Sequence, residues 1–178
     1  MHLLKKHLDK LRSKYALTAR EIEYIMVFFR GINDNSEIAQ ILGNTLLTAK
    51  IHITNIYKKL HESSKIGVVI KIIDELKLLP FDIKDPPKEI VENFRNKYNL
   101  TNRETDLLLT ICKSVTSNKD IGTNMKVYFT SSRNYLINIY KKTFTHNKLA
   151  LFMKFIGESQ ERSDFFDNIG YTQAATEN

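Results

Sequence analysis

Tryptophan is absent from the 178 residues, cysteine occurs once, and proline and glycine number only 3 and 6. Each scarcity excludes something. A single cysteine, Cys112, leaves no disulfide framework within the chain and suits a reducing cytoplasm. With two of the three prolines adjacent at Pro86 and Pro87, turn chemistry is sparse. The remainder is free to run as helix, and very little of it alternates as a strand does. No apolar run approaches the ~20 residues a membrane span requires. The opening MHLLKKHLDK is charged throughout, unlike a secretory h-region.

What is present is a core-forming composition, 42% hydrophobic and 26% charged, in a length that admits one ordinary domain or two small ones. The net charge of +7 is unevenly placed. Residues 1–83 carry 13 Lys/Arg against 9 Asp/Glu, residues 84–158 carry 13 against 7, and residues 159–178 carry 1 against 4. A basic body with an acidic tail suits a polyanionic partner, although charge alone does not select one.

The pentapeptide NIYKK occurs at Asn55–Lys59 and again at Asn138–Lys142. Displacing the chain by the same 83 residues sets SKYALTARE (13–21) on NKYNLTNRE (96–104), Asn35 on Asn118, Ile38 on Ile121, Lys65 on Lys148, Lys71 on Lys154 and Glu75 on Glu158. No insertion is needed. Apolar positions agree where identities fail, as in Ile25 with Leu108 and Ile53 with Leu136. The sequence reads as a module of residues 1–79, a linker at 80–87, a second and divergent module at 88–158, and an acidic tail at 159–178.

Each module reads as helices. Leu4, Leu8 and Leu11 have helical spacing. Thr18 with Glu21 three residues on has the pattern of a capping box, and Thr101 with Glu104 repeats it. A helix then runs to Arg30 and stops at Gly31; a short helix spans about Ser36 to Leu42 and stops at Gly43; Thr45 caps a longer helix through Leu60. A last helix carries Ile66, Val69, Ile70 and Ile73. A short helix, tight turn and long helix make the helix-turn-helix shape. The expected fold class is therefore all-α: two duplicated four- to five-helix, winged-less helix-turn-helix modules in tandem.

The strings LTAREIEYIMVFFRG, SEIAQIL and TLLTAKIHITNIYKKL resemble the LuxR/NarL-type (GerE) DNA-binding domain of bacterial transcription regulators. The family pattern is matched by Leu17, Thr18, Arg20, Glu21, Glu23, Gly31, Glu37, Ile38, Ala39, Leu42, Thr48, Lys50, His52, Asn55, Ile56, Lys59 and Leu60. Ala49 departs from it, and the loop after Gly31 carries one extra residue. The second copy keeps Leu100, Thr101, Arg103, Glu104, Asn138, Ile139 and Lys142. It has Ser114 for Gly31, Gly122 for Ala39, Tyr135 for His52 and Thr143 for Leu60.

The resemblance implies that the long helix reads DNA. Ala49, Ile53, Ile56 and Leu60 form its core stripe. On the other side, Lys50, Ile51 and Thr54 take the base-reading positions that the resemblance assigns. Lys50 can donate to guanine, and Ile51 and the Thr54 methyl can touch a thymine methyl. Arg133, Asn134 and Ile137 take the same positions in the second copy, so its half-site would differ. Lys58, Lys59, Lys141 and Lys142 are placed for phosphate oxygens, with Thr48 and Ser131 adding neutral phosphate hydrogen bonds.

The expected function is a sequence-specific DNA-binding transcription regulator whose two modules act as a pseudo-dimer, in the cytoplasm at the nucleoid. The implied partner is double-stranded DNA, with a homodimer or a transcription partner protein as further company and no membrane. The last helices of the two modules can meet each other or recruit another chain. The alternative is a protein-interaction adaptor that keeps the scaffold with DNA binding lost in one or both modules. No Gly-rich phosphate loop, metal-ligand set or nucleophile–base pair occurs, so the expectation is no enzyme, no cofactor and no metal. Two modules fill the length without a receiver or sensor domain. Tyr15, Tyr98 and His52 read as packing residues, Cys112 as buried and inert, and DFFDN (164–168) as an acidic-aromatic part of the tail.

Overall fold

A computed structural model describes residues 2–159 as ten α-helices; no strand occurs among the described residues. The first five are α1 (His2–Tyr15), α2 (Ala19–Phe28), α3 (Asn35–Ile41), α4 (Leu46–Leu60) and α5 (Lys65–Leu76). The second five are α6 (Lys88–Lys97), α7 (Asn102–Cys112), α8 (Asn118–Asn124), α9 (Phe129–Thr143) and α10 (Lys148–Ser159). The bounds of α8, α9 and α10 are those of α3, α4 and α5 moved along by 83 residues. Residues 160–178, which hold all but the first residue of the acidic tail, lie outside the described residues.

Local chemistry sets the helix starts. Thr18 and Thr101 accept the N–H of Glu21 and Glu104, whose carboxylates accept the N–H of Thr18 and Thr101 at 2.7 Å, two reciprocal capping boxes. Asp34 begins α3, its Oδ1 accepting from Ser36 and Glu37 at 2.9 Å each. Thr45 begins α4 and Ser64 begins α5. The chain turns after helices through left-handed residues at matching places: Ala16 and Asn99, Gly31 and Ser114, Gly43 and Lys126, His61 and Phe144. Helix α2 stops at Phe28, two residues before the expected Arg30, because Phe29 is the C-cap leading into Gly31 at φ 76°.

The core is continuous across both halves. Helix α5 is apolar nearly all round, burying Ile66, Val68, Val69, Ile70, Ile72 and Ile73, and α10 buries Leu149, Leu151, Phe152, Met153, Phe155 and Ile156. Only a narrow polar edge, Lys71, Asp74 and Glu75, is left on α5, so it must be covered on several sides. Helix α5 meets α2 and α4 of its own half, α10 meets α6 and α7 of its own, and α5 and α10 pack on each other. The segment between the halves is pinned as well. Ile83 is buried, and Asp82 closes a turn by accepting the N–H of Lys84 at 2.9 Å.

Where the halves face each other, a cavity of about 360 Å³ is lined by both members of the pairs Tyr57 and Tyr140, Lys65 and Lys148, and Ile66 and Leu149. Each pair is 83 residues apart, so the two halves meet through equivalent surfaces. Gly31 marks one edge of the contact. Its carbonyl accepts from Asn147 Nδ2 at 3.3 Å, and a Cβ added to it would meet Ala150 Cα at 3.0 Å.

Candidate nucleic-acid interface

The segment α3–turn–α4 is held from behind by α2. Tyr24, wholly buried, accepts a hydrogen bond at its hydroxyl from Asn44 Nδ2 at 2.7 Å, and the Arg20 guanidinium reaches the Leu42 carbonyl. Gly43 adopts φ 63° in the turn, and the Asn44 N–H closes on Ala39 O at 2.8 Å. His52 packs on Tyr24 with ring centroids 5.0 Å apart. These contacts fix the long helix against α2 and leave its other face uncovered.

Along α4, Ala49, Ile53, Ile56 and Leu60 are buried, while Lys50, Ile51, Thr54 and Lys58 are exposed. Those four lie at i, i+1, i+4 and i+8 and share one face. Along α9 the equivalent positions Arg133, Asn134, Ile137 and Lys141 are exposed, as is Asn138, with Ser132, Leu136, Ile139 and Thr143 buried. These four positions correspond one to one between the two helices, although Asn138 is exposed where Asn55 is half-buried. Thr48 is half-buried with its hydroxyl 2.9 Å from that of Thr45, and Ser131 is half-buried too.

The two lysines of each NIYKK diverge. Lys58 and Lys141 point outward, whereas Lys59 donates to Glu21 Oε2 and to Ala16 O, both at 2.7 Å. Lys142 does the same with Glu104 Oε2 at 2.7 Å and Asn99 O at 2.8 Å. Burial is the strongest influence on each carboxyl and pushes it upward. The lysine and the capping-box N–H outweigh burial and hold Glu21 and Glu104 below the usual carboxylate range.

Three features were not expected from the sequence. Lys65 is buried and donates to Asn33 O at 2.9 Å and Asn35 Oδ1 at 2.8 Å, tying the start of α5 to the loop before α3 and to the first residue of α3. Burial lowers its ammonium to about 8, against an opposing pull from Asp34. Lys148 repeats the tie to Thr116 O at 2.8 Å and to Asn118. Tyr15 and Tyr98, half-buried as packing residues, also donate to Glu75 and Glu158 and so clamp α1 to α5 and α6 to α10. The recurrence of Lys65, Tyr15 and Glu75 at the 83-residue offset was the available signal for these ties.

The third is apolar surface beside the exposed faces. Leu46 and Leu47 stand 40% and 69% exposed at the start of α4, and Tyr128 and Phe129 85% and 51% exposed at the start of α9. Here the signal was Tyr128, which stands where Thr45 caps the first half. Cys112 is fully buried, and burial raises its thiol to about 12, which removes it from thiolate chemistry. No group of three or more His, Cys, Asp or Glu able to hold a metal occurs among the described residues, and none of their helices is long and apolar enough to cross a membrane.

Comparison with known proteins gives no matching family model, no matching curated protein and no matching solved structure.

Proposed function

We propose that this chain is a sequence-specific DNA-binding transcription regulator built from two tandem helix-turn-helix modules, α1–α5 and α6–α10, that act as a pseudo-dimer on an asymmetric site at the nucleoid. It works without catalysis or cofactor. The resemblance of residues 17–60 to the LuxR/NarL-type domain motivates the reading. The observation that carries it is the exposed face Lys50–Ile51–Thr54–Lys58, set on a helix braced from behind and matched by Arg133–Asn134–Ile137–Lys141. Each face offers hydrogen-bond donors and apolar atoms for base edges near its N-terminal end and one outward lysine for phosphate beyond it. The packing of α5 on α10 supports pairing within the chain: the two faces are tethered, so the second contact forms at high effective concentration.

Selection of bound duplexes from a random pool, followed by affinity against salt, tests this. A long asymmetric motif with two elements is the expected result. A palindrome would replace the pseudo-dimer with two chains joined through one module. Weak, salt-sensitive binding without enrichment would remove the DNA reading. It would leave the interaction adaptor, which the exposed Tyr128 and Phe129 favour.

A further inference from the structure

Four departures from the first half converge on the turn between α8 and α9. Thr45 closes the start of α4 by accepting the Thr48 N–H at 3.2 Å; at the same place Tyr128 makes no side-chain cap and stands 85% exposed. Phe129 beside it is half exposed. Lys126 holds φ 53° where the first half has Gly43 at φ 63°, so a side chain occupies a conformation that favours glycine. Gly122 replaces Ala39, and a Cβ there would meet Val127 O at 3.1 Å. The turn thus lies closer on α8 than alanine would permit without adjustment.

The result is an open hollow of about 500 Å³, with Val127, Tyr128 and Phe129 as its apolar wall and Lys119 and Lys126 at its rim. Arg133 is exposed one turn along α9. A lost cap and an exposed aromatic pair weaken the local fold and return nothing to it. Such local inconsistency is expected where a surface is kept for a contact.

We propose that this hollow docks an acidic, aromatic peptide segment, and that its occupant is the chain's own residues 163–171, SDFFDNIGY. There Phe165 and Phe166 stand between Asp164 and Asp167, a pattern that sets rings on the apolar wall and carboxylates toward the lysines. Charge agrees: residues 159–178 carry 1 Lys/Arg against 4 Asp/Glu, and residues 84–158 carry 13 against 7. So does connection. The end of α10 lies at the α6–α7 junction, where Glu158 meets Lys97 and Tyr98, and the last turn of α9 reaches the same junction through Lys142 and Asn99 O, so the hollow at the start of α9 lies one helix length, ~20 Å, away. The six residues from Ser159 to Phe165 reach up to about 20 Å when extended, and the tether raises the local concentration of the segment. Resting on the DNA-binding reading, one consequence follows: occupancy covers the start of α9 and competes with a duplex for the second module alone.

Because the chain has no tryptophan, Phe166→Trp places a single indole in the full chain. Docking gives blue-shifted emission and iodide quenching several-fold weaker than for the same substitution in a free peptide of residues 159–178. Both values revert toward the peptide's when Tyr128→Ser and Phe129→Ser are added; these positions are exposed, and far-ultraviolet circular dichroism confirms that the fold persists. Emission matching the free peptide in the unaltered background overturns the proposal. Protection that survives the double substitution also overturns it, since the indole then sits elsewhere. Protection that grows with protein concentration replaces the chain's own segment with that of a second copy. The readout contains no DNA, so failure of the DNA-binding reading leaves it unchanged.

Discussion

Lys59 Nζ lies 2.7 Å from Glu21 Oε2, and that oxygen also accepts the Thr18 N–H at 2.7 Å. One carboxylate oxygen therefore joins the start of α2 to the end of α4, and Glu104 joins α7 to α9 in the same way through Lys142 and Thr101. The pair is a positioning device: it fixes the angle at which the exposed face of α4 is presented.

Glu21→Gln or Lys59→Met leaves the other partner without its charge complement. Each is expected to lower the unfolding free energy by about 1–3 kcal/mol in urea titrations. The double substitution should lose less than the sum, because the second change removes an already unpaired group. Additive losses would show that the pair is not coupled.

The same bridges set an acid dependence. Glu21 and Glu104 are held below the usual carboxylate range when folded. Their stabilisation is complete above the unfolded carboxylate value and is lost as pH falls through the lowered folded value. The urea midpoint should decline below about pH 4.3, the ordinary Glu value. The decline should be shallower in Glu21→Gln/Glu104→Gln, and an unchanged slope would assign it to other carboxylates.

DNA binding should separate the lysines. Lys58→Ala with Lys141→Ala is expected to weaken specific and random duplex alike and to reduce the salt slope by roughly 1 per phosphate contact removed. Lys50→Ala should cost about 1–3 kcal/mol on the selected site and little on random duplex. Lys59→Met should leave the salt slope unchanged, since its ammonium is committed to Glu21 and Ala16 O. A slope that fell with Lys59→Met would return it to the phosphate set.

Helices were legible in this sequence because periodicity and caps are local. Thr18 with Glu21, Thr45 before a long apolar stripe, and Gly31 and Gly43 as stops each name an element within a few residues of where it lies. The direction of Lys59 was not legible, because adjacent lysines differ by 100° around a helix and their partners come from residues some forty positions away. Lys65 escaped for the same reason: its carbonyl and amide partners, Asn33 and Asn35, lie some thirty residues earlier, where the loop enters α3. The packing of α5 on α10 was open in the sequence, where the apolar stripe Ile66, Val69, Ile70 and Ile73 demands cover without naming its source. The exposed Tyr128 was readable only by comparison with Thr45.

Tyr128→Thr restores to α9 the cap that Thr45 gives α4. In a background carrying Phe165→Ser and Phe166→Ser, where the proposed docking is absent, the gain should be about 0.5–1 kcal/mol, with a matching rise in the thermal midpoint. A loss of stability would mean that the exposed ring makes a contact in solution that offsets the missing cap.

Gly31 and Gly43 supply an internal control for the seam between halves. Both hold positive φ, 76° and 63°, but a Cβ on Gly43 meets nothing within 4 Å while one on Gly31 meets Ala150 Cα at 3.0 Å. Gly43→Ala therefore tests the backbone cost alone, about 1 kcal/mol. Gly31→Ala adds an overpacked contact between α10 and the end of α2, and should cost about 1–3 kcal/mol more. The excess of Gly31→Ala over Gly43→Ala in urea unfolding measures the stiffness of that contact. Were the two losses equal, the seam would yield freely there, and the relative placing of α4 and α9 would rest chiefly on the α5–α10 packing.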